Sequence, residues 1–187
     1  MPSFSIASDG RLRDESAERV VDHALQEFPW LNGGGLSLYI ALSKAYWDSS
    51  AQFADYCAAF DLSVPRFNLL WQLYQNHAQP LSMGEISARL SVSTAAVTKL
   101  VDGLERDGWA SRIPHATDRR VVCAQLTEAG AQRFRGMFPT LLQRLGVLMG
   151  GLTDNERDLL THLLTKLRVT ALAHYAEPAA AALAADH

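Results

Sequence analysis

Ser93, Thr94, Ala95, Thr98 and Lys99 are small or donor-bearing residues crowded into one short stretch of the chain. Within it, Val97, Leu100, Val101 and Leu104 stand at i, i+3, i+4 and i+7, the spacing of a buried helical face. That face turns Ala95, Thr98, Lys99 and Asp102 outward. Small side chains let the first turn of such a helix come close to a partner, and its hydroxyls, lysine and backbone amides suit phosphate oxygens and base edges. A DNA major groove about 12 Å wide admits one helix of this kind. Further along, Arg112 and the run Asp118-Arg119-Arg120 add planar guanidinium donors that fit a narrow minor groove or bind phosphate. Asp118 repels DNA unless it holds an arginine, such as Arg112 or Arg120, in its working geometry.

The elements that position these residues are readable from caps and breakers. Ser82-Met83-Gly84-Glu85 is a capping box that opens a short helix running to about Leu90. After a turn at Ser91-Val92, Ser93 or Thr94 caps the helix Ala95–Asp107, and Gly108 stops it. Two β-prone segments follow, 109–113 and 121–126, joined by the charged stretch 114–120. A helix, a tight turn, a second helix and a two-stranded wing make a winged helix-turn-helix.

Around this lobe the pattern is helical. Residues 1 to about 14 are polar and aperiodic and are expected to be poorly ordered. A short amphipathic helix fits Glu15 to Phe28, and the glycines at 33–35 read as a breaker and linker before a long helix, 36–60. Pro65 lies in the first turn of a helix that presents Phe67, Leu70, Trp71 and Tyr74 on one face. After Thr127, the residues Phe134, Phe138, Leu141, Leu145 and Leu148 form a narrow seam suited to a partner helix. Gly150-Gly151 breaks it, and the capping box Thr153–Glu156 opens a helix with Leu159, Leu160, Leu163, Leu164 and Leu167 on one side.

With 187 residues, 48% of them apolar, the chain supports one substantial core. The net charge of −3 is unevenly spread: residues 82–127 carry +1 and the remainder −4. No run of eighteen uncharged apolar residues and no basic-then-apolar leader occurs, so the expected location is the cytoplasm, without a membrane partner. Cys57 and Cys123 are far apart and lack a CxxC or Cys/His cluster, which points to no disulfide framework and no metal site. The sequence has no GxSxG, P-loop, HExxH or dinucleotide-binding glycine turn; the expectation is a non-enzyme without cofactors.

The runs Leu81-Ser82-Met83-Gly84-Glu85-Ile86, Val97 through Trp109, Asp118-Arg119-Arg120 and Leu126-Thr127-Glu128-Ala129-Gly130 resemble the MarR family of multiple-antibiotic-resistance type regulators. The resemblance covers about residues 64–130. It implies a mainly α fold with a small β-hairpin wing, in which a winged helix-turn-helix lobe, 63–127, is joined to a helical dimerisation region, 36–62 and 128–175. An N-terminal extension, 1–35, and a tail, 176–187, lie outside that plan. It further implies a homodimer in which each lobe reads half of a pseudopalindromic double-stranded operator. Ser93, Thr94, Ala95, Thr98, Lys99, Arg112, Asp118, Arg119 and Arg120 would then meet DNA, with the Asp-x-Arg wing signature falling on Asp118 and Arg120.

The same resemblance implies an effector pocket between lobe and dimer helices. Tyr46, Arg66 and Trp71, one cation and two amphipathic rings, suit a small aromatic or phenolic acid that releases a repressor from DNA. Two alternatives stay open: a redox-sensing regulator acting through Cys57, and a winged-helix protein-interaction module without DNA binding.

Overall fold

The computed structural model describes residues 3–118 and 120–185, with side chains to residue 173. It divides into two compact units, one reaching to Phe134 and the other starting at Arg135. The first unit opens with a β-hairpin, β1 (Phe4–Ile6) and β2 (Leu12–Asp14), paired antiparallel with Ile6 opposite Leu12. The disorder expected there is thus corrected. The signal was Asp9-Gly10, a strong turn dipeptide: Gly10 takes φ +80°, and Asp9 Oδ1 accepts the Arg11 amide at 3.1 Å.

Helix α1 (Glu15–Glu27) starts on Asp14, whose carboxylate accepts the amides of Ser16 at 2.9 Å and Ala17 at 3.1 Å. Its other oxygen takes the Lys44 ammonium at 2.6 Å, fastening the extension to α2 (Gly33–Ala58). Hydrogen bonds from Lys44 and Ser16 hold the Asp14 carboxyl well below the usual carboxylate range. A carboxyl depressed by folding stabilises above its unfolded pKa, near 4, and that contribution drains away as pH falls below it. The amide resonances of residues 4–17 are therefore expected to hold from pH 7 to about 5 and to move toward unstructured values below about pH 4. In Asp14→Ala they should be displaced at every pH; an NMR titration in which the variant matches the parent would refute the role of this cap.

The triple glycine is the first turn of α2 rather than a linker. Asn32 caps it, its side chain accepting the Gly35 amide at 3.2 Å, so a local hydrogen bond overrides the poor helix propensity of glycine. A Cβ at Gly33 would stand 3.1 Å from Leu25, which shows how closely α1 and α2 approach at that point.

Helix α3 (Val64–Gln75) buries more of its circumference than one stripe. Phe67 and Leu70 are buried as the spacing predicts, but Leu69 and Leu73 are buried with them, while Trp71 and Tyr74 are only half-buried. A helix packed on several sides loses the one-sided pattern that periodicity detects. The lobe continues through β3 (Leu81–Ser82), α4 (Met83–Leu90), α5 (Thr94–Arg106), β4 (Ala110–Pro114) and β5 (Val122–Leu126). The sheet order is β3-β5-β4. Two-residue β3, pairing Leu81 with Ala124, is too short to show any alternation in sequence. Ser82 and Glu85 form the expected capping box, and Ser91, in the left-handed region at φ 53°, ends α4.

Ile86, Val97, Val101, Leu104, Ala124 and Phe134 are fully buried. Phe134, in the first part of α6 (Glu128–Met149), meets Phe67 at 5.3 Å and Tyr74 at 5.4 Å between ring centroids. These rings, with Tyr56 and Phe53, tie α2, α3 and α6 together inside the first unit.

The second unit holds the rest of α6 and α7 (Asp154–Ala185), the latter opened by the Thr153–Glu156 box. Leu159, Leu160, Leu163, Leu164 and Leu167 remain between 38% and 58% exposed in the single chain. Among the described residues no helix is long and apolar enough to cross a membrane.

Candidate nucleic-acid interface

Ser93 is the N-cap of α5, and its hydroxyl oxygen accepts the Ala96 amide at 3.2 Å. That bond, with the left-handed turn at Ser91, aims the first turn of α5 outward. Ser93, Thr94, Ala95, Thr98 and Lys99 are all exposed, whereas Val97, Val101 and Leu104 anchor the opposite face in the core. The Thr98 hydroxyl donates to Thr94 O at 3.0 Å. With its proton committed, Thr98 offers outward an acceptor and a methyl group, which match an exocyclic amine or a thymine methyl. Lys99 supplies a compact charge.

At the wing tip, the loop between β4 and β5 is built on its own backbone. His115 N–H donates to Val121 O at 2.9 Å, and Val121 N–H to Asp118 O at 3.0 Å. Asp118 Oδ1 accepts the Arg120 amide at 3.0 Å, so the aspartate shapes the turn that presents the exposed Arg120. Arg119, the other wing arginine, lies outside the described residues.

The pairing of Asp118 with Arg112 proposed from sequence does not hold. Arg112 lies on β4, beside α5, and its guanidinium goes to Asp102 Oδ1 at 2.6 Å and Glu105 Oε2 at 2.7 Å. Of the two arginines offered to Asp118, Arg112 is taken elsewhere because the packing of β4 on α5 brings Asp102 and Glu105 within hydrogen-bond reach.

The three residues expected to line a pocket have partners of their own. Arg66 donates to Gly103 O at 3.1 Å and forms an ion pair with Asp107, clamping α3 to the end of α5. The arginine holds the Asp107 carboxyl below its ordinary range. Trp71 stands 6.4 Å from the Phe134 ring, and Tyr46 is 63% exposed with its ring edge-on to Trp47 at 5.8 Å. Cys57 is fully buried, and burial pushes its thiol up to about 11; burial also raises Cys123. A protonated thiol out of reach of solvent is a poor peroxide target.

Sequence reasoning missed the joint between wing and α6. The Thr127 amide donates to Trp109 O at 3.1 Å, its hydroxyl donates to Gly108 O at 2.8 Å, and that hydroxyl oxygen accepts the Gly130 amide at 2.9 Å. The Arg133 guanidinium lies 3.8 Å above the Trp109 ring. Thr127-x-x-Gly130 is a visible capping pattern, but the closeness of Trp109 is not.

Residues 62–122 match the model of the MarR family. The chain is similar to the HTH-type transcriptional repressor YetL of Bacillus subtilis, 29% identical over 150 residues, which are 80% of this chain and 89% of that protein. It is also similar to the HTH-type transcriptional regulator MhqR of the same organism, 29% identical over 136 residues, with 73% and 92% covered. Among solved structures, wild-type MarR from E. coli in its apo form aligns with a TM-score of 0.60 at 27% identity, covering 70% of this chain and 95% of that one. A mutant of E. coli MarR complexed with operator DNA aligns with a TM-score of 0.62 at 25% identity, covering 77% and 96%.

Proposed function

We propose that the chain is a transcriptional repressor of MarR type that binds a pseudopalindromic operator as a homodimer, a reading supported by the match of residues 62–122 to the MarR family model and by its relatives. The observation that carries this reading is the exposed N-cap and first two turns of α5, with Ser93, Thr94, Ala95, Thr98 and Lys99, on the same lobe as a wing presenting Arg120. A helix of that composition fits a major groove, and an arginine on a hairpin tip fits the adjoining minor groove. Dimerisation is supported by the leucine face of α7, which a lone chain leaves to solvent. Two copies related by a two-fold axis would offer their recognition helices to half-sites about 34–36 Å apart. The sign of regulation follows relatives such as YetL, a repressor by name.

Release by a small aromatic or phenolic molecule is part of the proposal, and the exposed rings of Tyr39, Tyr46 and Trp47 on α2 are its support. Arg66 already holds Asp107 and Gly103 O through Nη2, so a ligand carboxylate would compete with Asp107 for that nitrogen. Such a ligand acts if it binds better to a dimer whose recognition helices no longer match the half-sites.

The test is selection of the purified protein on random duplex DNA, followed by titration of the enriched duplex at two salt concentrations. An inverted repeat should emerge, bound with a steep salt dependence. Arg120→Ala should weaken its binding by about 1–3 kcal/mol. No enrichment, with weak binding indifferent to Arg120, would assign the lobe to protein interaction instead.

A further inference from the structure

We propose that Arg112 is a positioning residue for operator recognition, locking the wing to the recognition helix so that Asp102 and Glu105, two acids on that helix, are required for specific binding. The inference rests on the regulator reading above. Arg112 stands on β4 opposite Ala124 of β5, so whatever holds Arg112 holds the base of the wing. Its Nη1 donates to Glu105 Oε2 at 2.7 Å, and its Nη2 reaches Asp102 Oδ1 at 2.6 Å and Thr98 O at 3.3 Å. Its own backbone amide donates to Glu105 Oε1 at 3.0 Å. Thr98, Asp102 and Glu105 lie along one side of α5 at i, i+4 and i+7, so a single guanidinium spans two turns of the recognition helix and begins beside a residue that faces the groove. A planar fork reaches two carboxylates and a carbonyl from separate nitrogens, whereas an ammonium would have to serve all three from one atom.

The exposures fit this role. The Arg112 side chain is 28% exposed, less than those of Asp102 at 54% and Glu105 at 39%. Three of its guanidinium hydrogen bonds are made inside the lobe, to Glu105, Asp102 and Thr98 O. The role also accounts for an unfavourable composition, since carboxylates on the exposed side of a recognition helix repel DNA. They are retained because, neutralised by Arg112, they hold the wing at one angle before DNA arrives, so that helix and wing enter their grooves without an ordering cost.

The two roles for Arg112 predict opposite signs. The experiment uses the full chain, the duplex enriched by the parent protein and a scrambled duplex of equal length. Charge alone would make Asp102→Asn and Glu105→Gln bind both duplexes more tightly. Under the positioning role they bind the scrambled duplex at least as tightly as the parent but the enriched duplex about tenfold more weakly, with the slope of log K against log salt unchanged.

Arg112→Lys keeps the charge but loses the fork, and is expected to weaken with them. A direct phosphate contact would instead leave Arg112→Lys near the parent, and Arg112→Ala would lower the slope by about one. Should either Arg112 variant fail to fold, the exposed, near-isosteric Glu105→Gln and Asp102→Asn carry the test by themselves. Unchanged or tighter binding of the enriched duplex by both acid variants would overturn the proposal. Failure of the parent protein to enrich any duplex would overturn the regulator reading instead, before any variant is compared.

Discussion

Gly130→Ala is expected to destabilise the winged-helix unit by about 3 kcal/mol, the upper range for forcing an extra group into a packed site. A Cβ at this position would stand 2.0 Å from the Trp109 carbonyl oxygen, 2.7 Å from its carbonyl carbon and 2.9 Å from its Cα. All three are backbone atoms, so no side chain can swing away to make room. Relief requires the start of α6 to move off the root of β4, which breaks the Thr127 and Gly130 hydrogen bonds there. It also shifts Trp109, which is 3% exposed, and the Arg133 guanidinium stacked on it. Because Trp109 leads directly into β4, the wing should lose its register on the lobe, and operator affinity should fall with stability. Gly136→Ala is the control: its Cβ would meet nothing within 4 Å, and in mid-helix it should be neutral or stabilising by about 0.5–1 kcal/mol. Thermal denaturation separates the two, with a drop of roughly 6–12 °C expected for Gly130→Ala. A melting temperature within about 1 °C of the parent would show that the joint between α6 and β4 yields without cost.

The largest functional effect is expected from placing Leu160→Glu and Leu167→Glu together on α7. Both leucines are 42% exposed in the single chain, so their replacement removes little from the fold of that chain. In a two-fold dimer each substitution occurs twice, and four carboxylates would replace four apolar groups, each worth about 1.5–3 kcal/mol when fully buried. The variant should sediment as a monomer with unchanged helical content. Its affinity for the enriched operator should fall by about 10²–10⁴, because the second half-site would no longer be engaged at the high effective concentration that the first provides. A variant that remains dimeric would move the interface away from the α7 leucines, with the exposed aromatics of α2 next in line. A monomer that keeps full operator affinity would mean that a single lobe suffices.

Much of the lobe was legible because its signals are local. A capping box needs only Ser82 and Glu85, a recognition-helix face needs only Val97, Val101 and Leu104 at helical spacing, and a wing needs only two β-prone runs around a charged turn. The exposed positions of Ser93, Thr94, Ala95, Thr98, Lys99 and Arg120 follow from those elements once the buried face is assigned. The N-terminal hairpin was legible too, in Asp9-Gly10, but polar composition outweighed the turn signal.

What the amino-acid order determined by itself was therefore the run of helices, the helix-turn-helix with its wing, and the outward side of the recognition helix, all set by hydrogen bonds and periodicities within a few residues. Only the tertiary structure decided that Arg112 serves Asp102 and Glu105 rather than Asp118, that Arg66 is occupied by Asp107, and that Gly130 must lack a side chain. Each of those outcomes depends on which element packs beside it. An arginine takes the carboxylates that folding brings within about 3 Å, whatever their separation along the chain.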